Sequence, residues 1–486
     1  MQTRLVVLFI VLAASSACAQ PQVSGDIGAA LDAYLTNQVS PGFSGAVLAA
    51  KNGDVVLRKG YGYADQEAGV PNTPETVFQI GSVTKPLTAI AVMSLVDQGL
   101  VDLSASIAEY LEGIPDEHHD ITVHHLLTHT AGFPGGIGDD YEAIGREAYI
   151  RLALATDLER EPGEAYEYSN VGFALAAAIV EVVTGGSYDA YLQRILGEVG
   201  IQHTGYRLDG GVFAHGYDGD EDLGYPFDRP WSEDGPYWHL RGNGGLLSTV
   251  DDLYALHQAL EAGDLLSDSS LEAMHRPHTD EGEGSGSHYG YGWALFETPL
   301  GTLAAHNGGD PGFTADFLRF RDDNTVLILI SNDRRVDATR LSESLMEVLF
   351  GGDPDPFRPG LLSPIAIEDL AELRMGRRAL AFIEAINSRS DEAARAFAAE
   401  HLVDGFQRDM DRLVGFFDEV RDELGGAPFD LQRVGWDEQE GQMNLFTTLP
   451  DGRHYKAVLG FESDGEYRIA GLFTRFIDEA PGDLFE

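Results

Sequence analysis

Residues 78–85, FQIGSVTK, decide how the rest of this 486-residue chain is interpreted, because they place a hydroxyl and an amine three positions apart at Ser82 and Lys85. If a helix begins at Ser82, Lys85 lies one turn on, on the same face and roughly 4.5 Å further along the axis. Apolar residues follow at three-to-four spacing, and Gly99 indicates the end of the helix. A neutral lysine so placed can take the serine proton and make the hydroxyl a nucleophile. Alone, such a pair is more often part of an exposed helix surface, so other stretches have to decide.

A second stretch, residues 162–170, PGEAYEYSN, joins a Pro-Gly turn to the start of an apolar helix. It predicts that the side chains of Tyr168 and Asn170 project from a loop at a helix start. A phenol is a base near neutral pH only where a neighbouring cation stabilises the phenolate, and Lys85 is the candidate cation. Standing alone, the stretch would rather indicate a core tyrosine followed by an asparagine helix cap.

A third stretch, residues 306–313, HNGGDPGF, puts His306 and a run of glycines at the end of a predicted strand. Glycine lets a backbone approach a substrate closely, so a free N–H in this run can join the N–H of Ser82 in stabilising an oxyanion. By itself, such a run is more often a bulge or a turn.

The charge balance is strongly acidic, because 79 Asp and Glu residues against 32 Lys and Arg residues give a formal net charge of -47. Phosphates would be repelled, so nucleic acid is not expected as a partner. Two explanations of the acidic surface stay equally open. One is adaptation to high salt, and the other is a solvated acidic surface that reflects no special habitat. The chain has only the lysines Lys51, Lys59, Lys85 and Lys456. Because lysine is so rare in this chain, Lys85 is less easily explained as an ordinary solvent-exposed residue.

The N-terminus predicts a signal peptide. Arg4 precedes an apolar run over residues 5–14 that is too short to span a bilayer, and residues 17–19, ACA, have the small-x-small form of a cleavage site. We therefore expect an exported protein, periplasmic or secreted. Lipid anchoring at Cys18 is the less favoured alternative, because Ser15 is not the large aliphatic residue that such a motif prefers. The exported chain would have no disulfide, and no later run predicts a membrane span.

The order of predicted elements indicates two domains of α+β structure. A predicted hairpin at residues 46–57 and predicted strands over residues 303–331 flank a helical middle, with helical patterns at residues 82–113 and 171–183. This order predicts one domain whose sheet is completed by distant parts of the chain. The predicted boundaries are a signal peptide at 1–19, the first domain at 20–352, a Pro/Gly-rich linker at 353–365 and a small α+β domain at 366–486.

The three stretches together resemble the serine β-lactamase and D,D-peptidase superfamily, in which Ser-x-x-Lys, Tyr-x-Asn and Lys/His-x-Gly occur in this order. The resemblance covers residues 27–350, and LLTHTAGF at 126–133 and GNGGLLST at 242–249 are similar to segments of its class C branch. It implies a β-lactamase/transpeptidase-like domain in which helices flank an antiparallel sheet beside an all-helical region.

The resemblance also implies a catalytic set that acts through an acyl-enzyme. Ser82 would be the acylated nucleophile, and Lys85 and Tyr168 would share its proton and pass it to the leaving group. Asn170 would orient Lys85 and the substrate. The N–H groups of Ser82 and Gly309 would form the oxyanion hole.

On the facing strand, the resemblance gives His306 and Gly308 a substrate-binding role, and the third motif departs here from the lactamase pattern. Class C lactamases carry lysine in place of His306, and a partly charged imidazole anchors a carboxylate less well. His-x-Gly is more similar to family VIII esterases and D-amino-acid peptidases. The expected function is therefore hydrolysis of an ester, a small amide or a D-amino-acid peptide. A D,D-carboxypeptidase, a class C-like β-lactamase and a non-catalytic penicillin- or peptide-binding protein stay open as alternatives.

No cofactor or metal is expected. His125 and His129 are four apart, and His118 adjoins His119, but no matching set of ligands follows at fixed spacing. His129 is expected to pack under the active-site loop. The C-terminal segment resembles, by element order and hydrophobic pattern alone, the nuclear-transport-factor-like accessory domains, which implies a structural or pairing role.

Overall fold

The computed structural model describes residues 21–37, 39, 42–219, 221–282, 286–298, 300–354, 363–367, 370–371, 373–403, 410–437, 442–461 and 468–477. The predicted signal peptide and Cys18 lie outside the described residues, as do most residues of the predicted linker. The chain divides into two compact units, Met1–Phe357 and Arg358–Glu486.

The strands of the first unit are mostly short outside its main sheet. They are β1 (Gln22–Val23), β2 (Gly45–Lys51), β3 (Asp54–Tyr61), β4 (Tyr63–Asp65), β5 (Val70–Pro71), β6 (Thr76–Gln79), β7 (Val212–Phe213), β8 (Tyr217–Asp218), β9 (Glu221–Asp222), β10 (Leu247–Ser248), β11 (Thr279–Asp280), β12 (Ser287–Tyr289), β13 (Ala294–Thr298), β14 (Gly301–Asp310), β15 (Phe313–Phe320) and β16 (Thr325–Ser331).

Along the chain, most helices of the first unit lie between the sheet strands near its N-terminus and those near its C-terminus. They are α1 (Gly25–Asn37), α2 (Thr84–Asp97), α3 (Val123–Leu127), α4 (Arg146–Leu154), α5 (Asn170–Thr184), α6 (Tyr188–Glu198), α7 (Val250–Ala262), α8 (Asp268–Met274) and α9 (Ala338–Leu349). Short 3-10 turns occur at Gly81–Val83, Ile107–Glu109, Asp116–His118 and Pro226–Asp228.

Nine strands form one antiparallel sheet in the order β1-β3-β2-β16-β15-β14-β13-β12-β11. The pairing of β2 with β16, for example Val47 opposite Leu329, joins the two ends of the unit and confirms the predicted sheet built from distant segments. Alternate residues of these strands face opposite sides. Val47 and Leu329 pack with α1 and α9, whereas Leu48 and Ile328 pack with the helical region. Because both faces are covered, β16 is buried along its whole length.

The helical region is built around α2 and α5, whose apolar side chains are almost all buried. Within the described part of the chain, no single helix is both long and apolar enough to cross a membrane. Together, α5 and α6 meet that length and composition as a pair bent by 80°.

The second unit has its own core and sheet. Its helices are α10 (Arg374–Ser388), α11 (Asp391–His401) and α12 (Met410–Glu423), and its strands are β17 (Ser363–Pro364), β18 (Arg433–Asp437), β19 (Gln442–Thr448), β20 (His454–Phe461) and β21 (Ile469–Ile477). The strands form one antiparallel sheet in chain order. The small α+β fold is as predicted, except that β17 precedes the helices.

Two predicted elements differ near the candidate site. The helix predicted from Ser82 begins at Thr84, because Gly81–Val83 forms a separate 3-10 turn, and it ends at Asp97 rather than continuing towards residue 113. Gly99, at a φ of +69°, turns the chain after that end. The glycines of the third stretch do not follow a strand but lie inside β14, which runs to Asp310 because Gly308 and Gly309 keep register with β15.

Candidate active site

The turn that presents Ser82 is fixed by backbone geometry. Gly81 has a φ of +51°, a conformation that L side chains rarely adopt. The Thr84 side chain donates to the carbonyl oxygen of Gly81 at 2.7 Å and accepts from the N–H of Leu246 at 3.2 Å. Pairing of β6 with β10 holds the preceding residues. The Ser82 side chain therefore leaves the turn at the start of α2, partly exposed beside the sheet.

Lys85 lies one turn into the helix and is completely buried. Its Nζ donates to Ser82 Oγ at 3.0 Å and to the carbonyl oxygen of Asn243 at 2.8 Å. Burial lowers the pKa of Lys85 to about 7, although the carboxyls of Asp310 and Asp140 act in the opposite direction. Near neutral pH a large fraction of this lysine is thus neutral and able to accept a proton.

Asn243 occupies a tightly held loop that sequence reasoning did not assign to the site. Thr88 donates to the carbonyl oxygen of Gly242 at 2.6 Å, and the Tyr206 hydroxyl donates to that of Gly244 at 3.0 Å. These bonds fix the carbonyl of Asn243 against Lys85. The stretch 242–249 is similar to a class C segment, but nothing in its composition indicates that its backbone binds the lysine.

Tyr168 lies over the same lysine, with Lys85 Nζ 4.6 Å from its ring centre and its hydroxyl within hydrogen-bonding reach of Ser82. Burial raises the pKa of Tyr168, and the bond to Ser82 only partly offsets this effect. That direction is opposite to the one a phenolate base requires, so the phenol is neutral.

His129 supports the tyrosine from below. Its ring centre is 4.4 Å from that of Tyr168, and its Nδ1 accepts from the N–H of Ser169 at 2.9 Å. Burial and the charge of Lys85 lower the pKa of His129 well below its ordinary value. The predicted position of this histidine under the active-site loop is where the structure places it.

Asn170 is the first residue of α5, capped by the Ser169 side chain. Its N–H donates to the carbonyl oxygen of Gly135 at 2.8 Å. Its Oδ1 is buried and has no hydrogen-bond partner among the described residues. Lys85 is oriented by the Asn243 carbonyl instead, so the structure does not bring Asn170 and Lys85 together by a hydrogen bond.

Strand β14 lies directly against the nucleophile turn. A Cβ on Gly308 would be 2.1 Å from the carbonyl oxygen of Ile80 and 2.9 Å from the nitrogen of Ser82. A Cβ on Gly81 would be 2.4 Å from the nitrogen of Gly309. Only glycine permits this approach, which puts the backbone of Gly308 and Gly309 beside that of Ser82, as an oxyanion hole between the two requires.

His306 is buried and neutral. Burial and the charge of Lys85 lower the pKa of His306 to about 3. Its Nδ1 bonds the carbonyl oxygen of Asn307 at 2.7 Å, and its Nε2 lies 3.1 Å from the Tyr289 hydroxyl. In the consistent tautomer, Nδ1–H donates and Nε2 accepts. The partial charge expected for His306 from sequence is therefore wrong, because burial and the charge of Lys85 disfavour the protonated ring.

A carboxyl that sequence reasoning missed lies beside the glycines. Asp310 accepts from the N–H of Gly81, and burial together with the charge of Asp140 raises the pKa of Asp310 to about 7. Its Oδ2 is buried without a hydrogen-bond partner in the described part of the chain. Within that part, no three His, Cys, Asp or Glu side chains lie together as a metal site would require.

A serine beside a buried lysine, a tyrosine over both, and an antiparallel sheet with an adjoining helical region are together typical of the serine β-lactamase and D,D-peptidase superfamily. The Beta-lactamase family model matches residues 29–349, and the chain belongs to this family. The family generally consists of serine hydrolases.

Known proteins of several kinds are similar to the chain. Penicillin-binding protein 4* of Bacillus subtilis (strain 168) is 29% identical over 343 residues, which cover 65% of this chain and 75% of the relative. The structure of D-amino acid amidase from Ochrobactrum anthropi SV3 complexed with D-phenylalanine matches at 25% identity and a TM-score of 0.56, covering 67% of this chain and 99% of that one. EstCE1, a hydrolase with promiscuous acyltransferase activity, shares the fold at 22% identity and a TM-score of 0.55, covering 64% and 94% of the two chains.

Proposed function

We propose that this protein hydrolyses an ester, a small amide or a D-amino-acid peptide through an acyl-enzyme on Ser82. One observation carries the proposal: Lys85 Nζ lies 3.0 Å from Ser82 Oγ, and burial lowers the pKa of Lys85 to about 7. A base that is largely neutral at working pH and in contact with the nucleophile is what serine activation needs.

In this mechanism, Lys85 is the general base and Tyr168 relays the proton. Lys85 Nζ takes the proton of Ser82 Oγ, which bonds to the substrate carbonyl carbon. The N–H groups of Ser82 and Gly309 stabilise the oxyanion. As the bond to the leaving oxygen or nitrogen breaks, that atom receives the proton of the Tyr168 hydroxyl, which is replenished from Lys85. In the second half of the reaction, a water molecule gives a proton to Lys85 and bonds to the acyl carbon. The bond to Ser82 Oγ then breaks, Oγ receives a proton through Tyr168, and the acid is released.

The substrate side of the site involves Asn170, His306 and Gly308. The Oδ1 of Asn170 has no hydrogen-bond partner among the described residues, and rotation of this side chain would let it accept from an amide N–H of a substrate. Because Gly308 has no side chain, Ser82 and a substrate can lie close to β14. Neutral His306 lacks the fixed charge that would hold a carboxylate, which favours esters and amides over β-lactams and over D,D-carboxypeptidase substrates. Similarity to D-amino acid amidase makes D-amino-acid amides the second candidate class.

The test is turnover by the purified protein of p-nitrophenyl esters, D-amino-acid amides, D-alanyl peptides and a chromogenic cephalosporin. We expect ester or amide turnover that Ser82→Ala abolishes and that Ser269→Ala, a substitution at an exposed serine on α8, leaves intact. Turnover that survives Ser82→Ala contradicts the mechanism. Faster turnover of the cephalosporin contradicts the substrate choice, and a stable adduct on Ser82 without any turnover would instead identify a penicillin- or peptide-binding protein.

We also propose export, on the basis of the N-terminal 19 residues. N-terminal sequencing of the protein recovered outside the cytoplasm checks this. Cleavage after residue 19 is expected, whereas a lipid-modified Cys18 at the new N-terminus would establish the anchored form.

A further inference from the structure

A pocket of about 470 Å³ adjoins the catalytic groups on the side of Tyr168 and His306. Its floor is one face of β13, β14 and β15, where Phe296 lies opposite Leu303, and Ala305 lies opposite Leu318. These apolar side chains all line the pocket. Its volume is within the range of small-molecule sites, which is about 300–1,000 Å³.

Three carboxyl groups line the same pocket, on Glu281, Asp316 and Glu343. Among the lining residues that the structure describes there is no lysine or arginine, and the one histidine, His306, is neutral. The basic side chains that act on these carboxyls are His288, near Glu281, and Arg340, near Glu343, and neither lines the pocket. The pocket therefore has an apolar floor with carboxyl groups around it and no basic side chain among its described lining residues that would pair with them.

Asp316 is the most deeply buried of the three residues that bear these carboxyl groups. It is only 3% exposed, and it pairs across the strands with Asn307, next to His306. Its Oδ2 has no hydrogen-bond partner among the described residues, although the side chain lines the pocket. A buried carboxyl oxygen without a partner is costly, and a cationic donor from a ligand would satisfy it and favour the ionised form of Asp316.

Burial raises the pKa of all three groups, Glu281, Asp316 and Glu343, and the charges of Asp337 and Glu343 add to the effect on Asp316. A cation in the pocket would favour the ionised forms of these carboxyls. A carboxylate in the pocket would disfavour them.

We propose that this pocket receives the leaving group of the substrate, and that this group carries a protonated or quaternary amine on an apolar body. The assignment to the leaving group rests on the proposed function, because Tyr168 lines the pocket and gives the leaving atom its proton. The protein is then an esterase or amidase for cationic alcohols or amines, and the carboxylates of β-lactams and of peptide C-termini are repelled from it.

The test compares acetylcholine with 3,3-dimethylbutyl acetate, an uncharged isostere whose leaving group has the same shape. At low ionic strength, we expect kcat/KM to favour the cationic ester by about tenfold or more, which corresponds to about 1.4 kcal/mol. The preference should shrink as NaCl is added. In Glu281→Gln, Glu343→Gln and Asp316→Asn, the ratio of the two kcat/KM values should fall towards one. Glu297→Gln is the matched control, because Glu297 is exposed on β13 and does not line the pocket.

The ratio of two substrates on one variant is insensitive to partial misfolding, which lowers both rates alike. An equal or lower rate for acetylcholine, in a protein that turns over p-nitrophenyl acetate, overturns the inference and leaves the proposed function standing. A cationic preference that all three pocket variants retain also overturns it. Absence of turnover for every ester and amide overturns the proposed function itself.

Discussion

At the residue scale, the proposed hydrolysis depends on the fraction of Lys85 that is neutral. A neutral lysine must be retained for catalysis, and its fraction rises as the pH rises through its pKa of about 7. We therefore expect kcat/KM for a neutral ester to fall below pH 7. The measurement is the pH profile of a p-nitrophenyl ester at constant ionic strength.

Asp310→Asn tests whether that acid limb belongs to Lys85. The Asp310 carboxylate favours the charged lysine, so its removal lowers the pKa of Lys85 and should move the limb to lower pH by roughly half to one unit. Asp322→Asn, in the exposed turn between β15 and β16, should leave the limb in place. A limb that disappears with Asp310→Asn would assign the titration to Asp310 itself.

At the element scale, the close contact between β14 and the nucleophile turn distinguishes two adjacent glycines. Gly308→Ala puts a Cβ into the backbone of Ile80 and should lower the free energy of unfolding by about 1–3 kcal/mol or more. Gly309→Ala meets nothing within 4 Å and should change it by less than about 1 kcal/mol. Urea unfolding of the two variants checks this, and equal destabilisation of both would contradict the assigned packing.

Local spacing and family motifs together identified Ser82, Lys85 and Tyr168, because the first two lie within one helical turn and the third begins a recognisable loop. The same reasoning could not find Asn243 or Asp310. Their contacts with Lys85 and Gly81 depend on the pairing of β6 with β10 and on the full length of β14, which no local pattern encodes. Glycines argue against a strand, yet the register with β15 keeps Gly308 and Gly309 in one. The outcome for Asn170 has the same cause, since a motif names residues without fixing their partners.

At the scale of the whole molecule, the two units have separate hydrophobic cores. The described core residues of the first unit include none from the second, and the reverse also holds. A chain that ends at Phe357 should therefore fold and keep ester turnover within about twofold of the full chain. Activity per folded molecule, with the truncated Ser82→Ala chain as the blank, measures this. Loss of turnover would assign the second unit a part in catalysis, beyond the structural or pairing role that is expected from the sequence.

Net charge should make the stability of the chain depend on salt. With a formal charge of -47, self-repulsion weakens the folded state most at low ionic strength. We expect Tm to rise by several degrees between about 10 mM and 1 M NaCl, where the Debye length falls from about 30 Å to about 3 Å. An equimolar comparison with uncharged glycerol separates screening from general solute effects, and a Tm that is independent of salt would contradict the prediction.

The strand pairing at the centre of the sheet also determines how much of the chain must be synthesised before the candidate site is complete. The Ser44 side chain donates to Asn332, which lies 288 positions later in the chain. The strand β2 therefore has no partner on this side until β16 has been synthesised. Such non-local pairing makes folding slow. Ser82 and Lys85 are translated early, yet they lack their oxyanion partner until β14 has been made. We therefore expect the nascent chain to be catalytically inactive until β14 is made, and on refolding we expect ester turnover to return later than the far-UV circular dichroism signal.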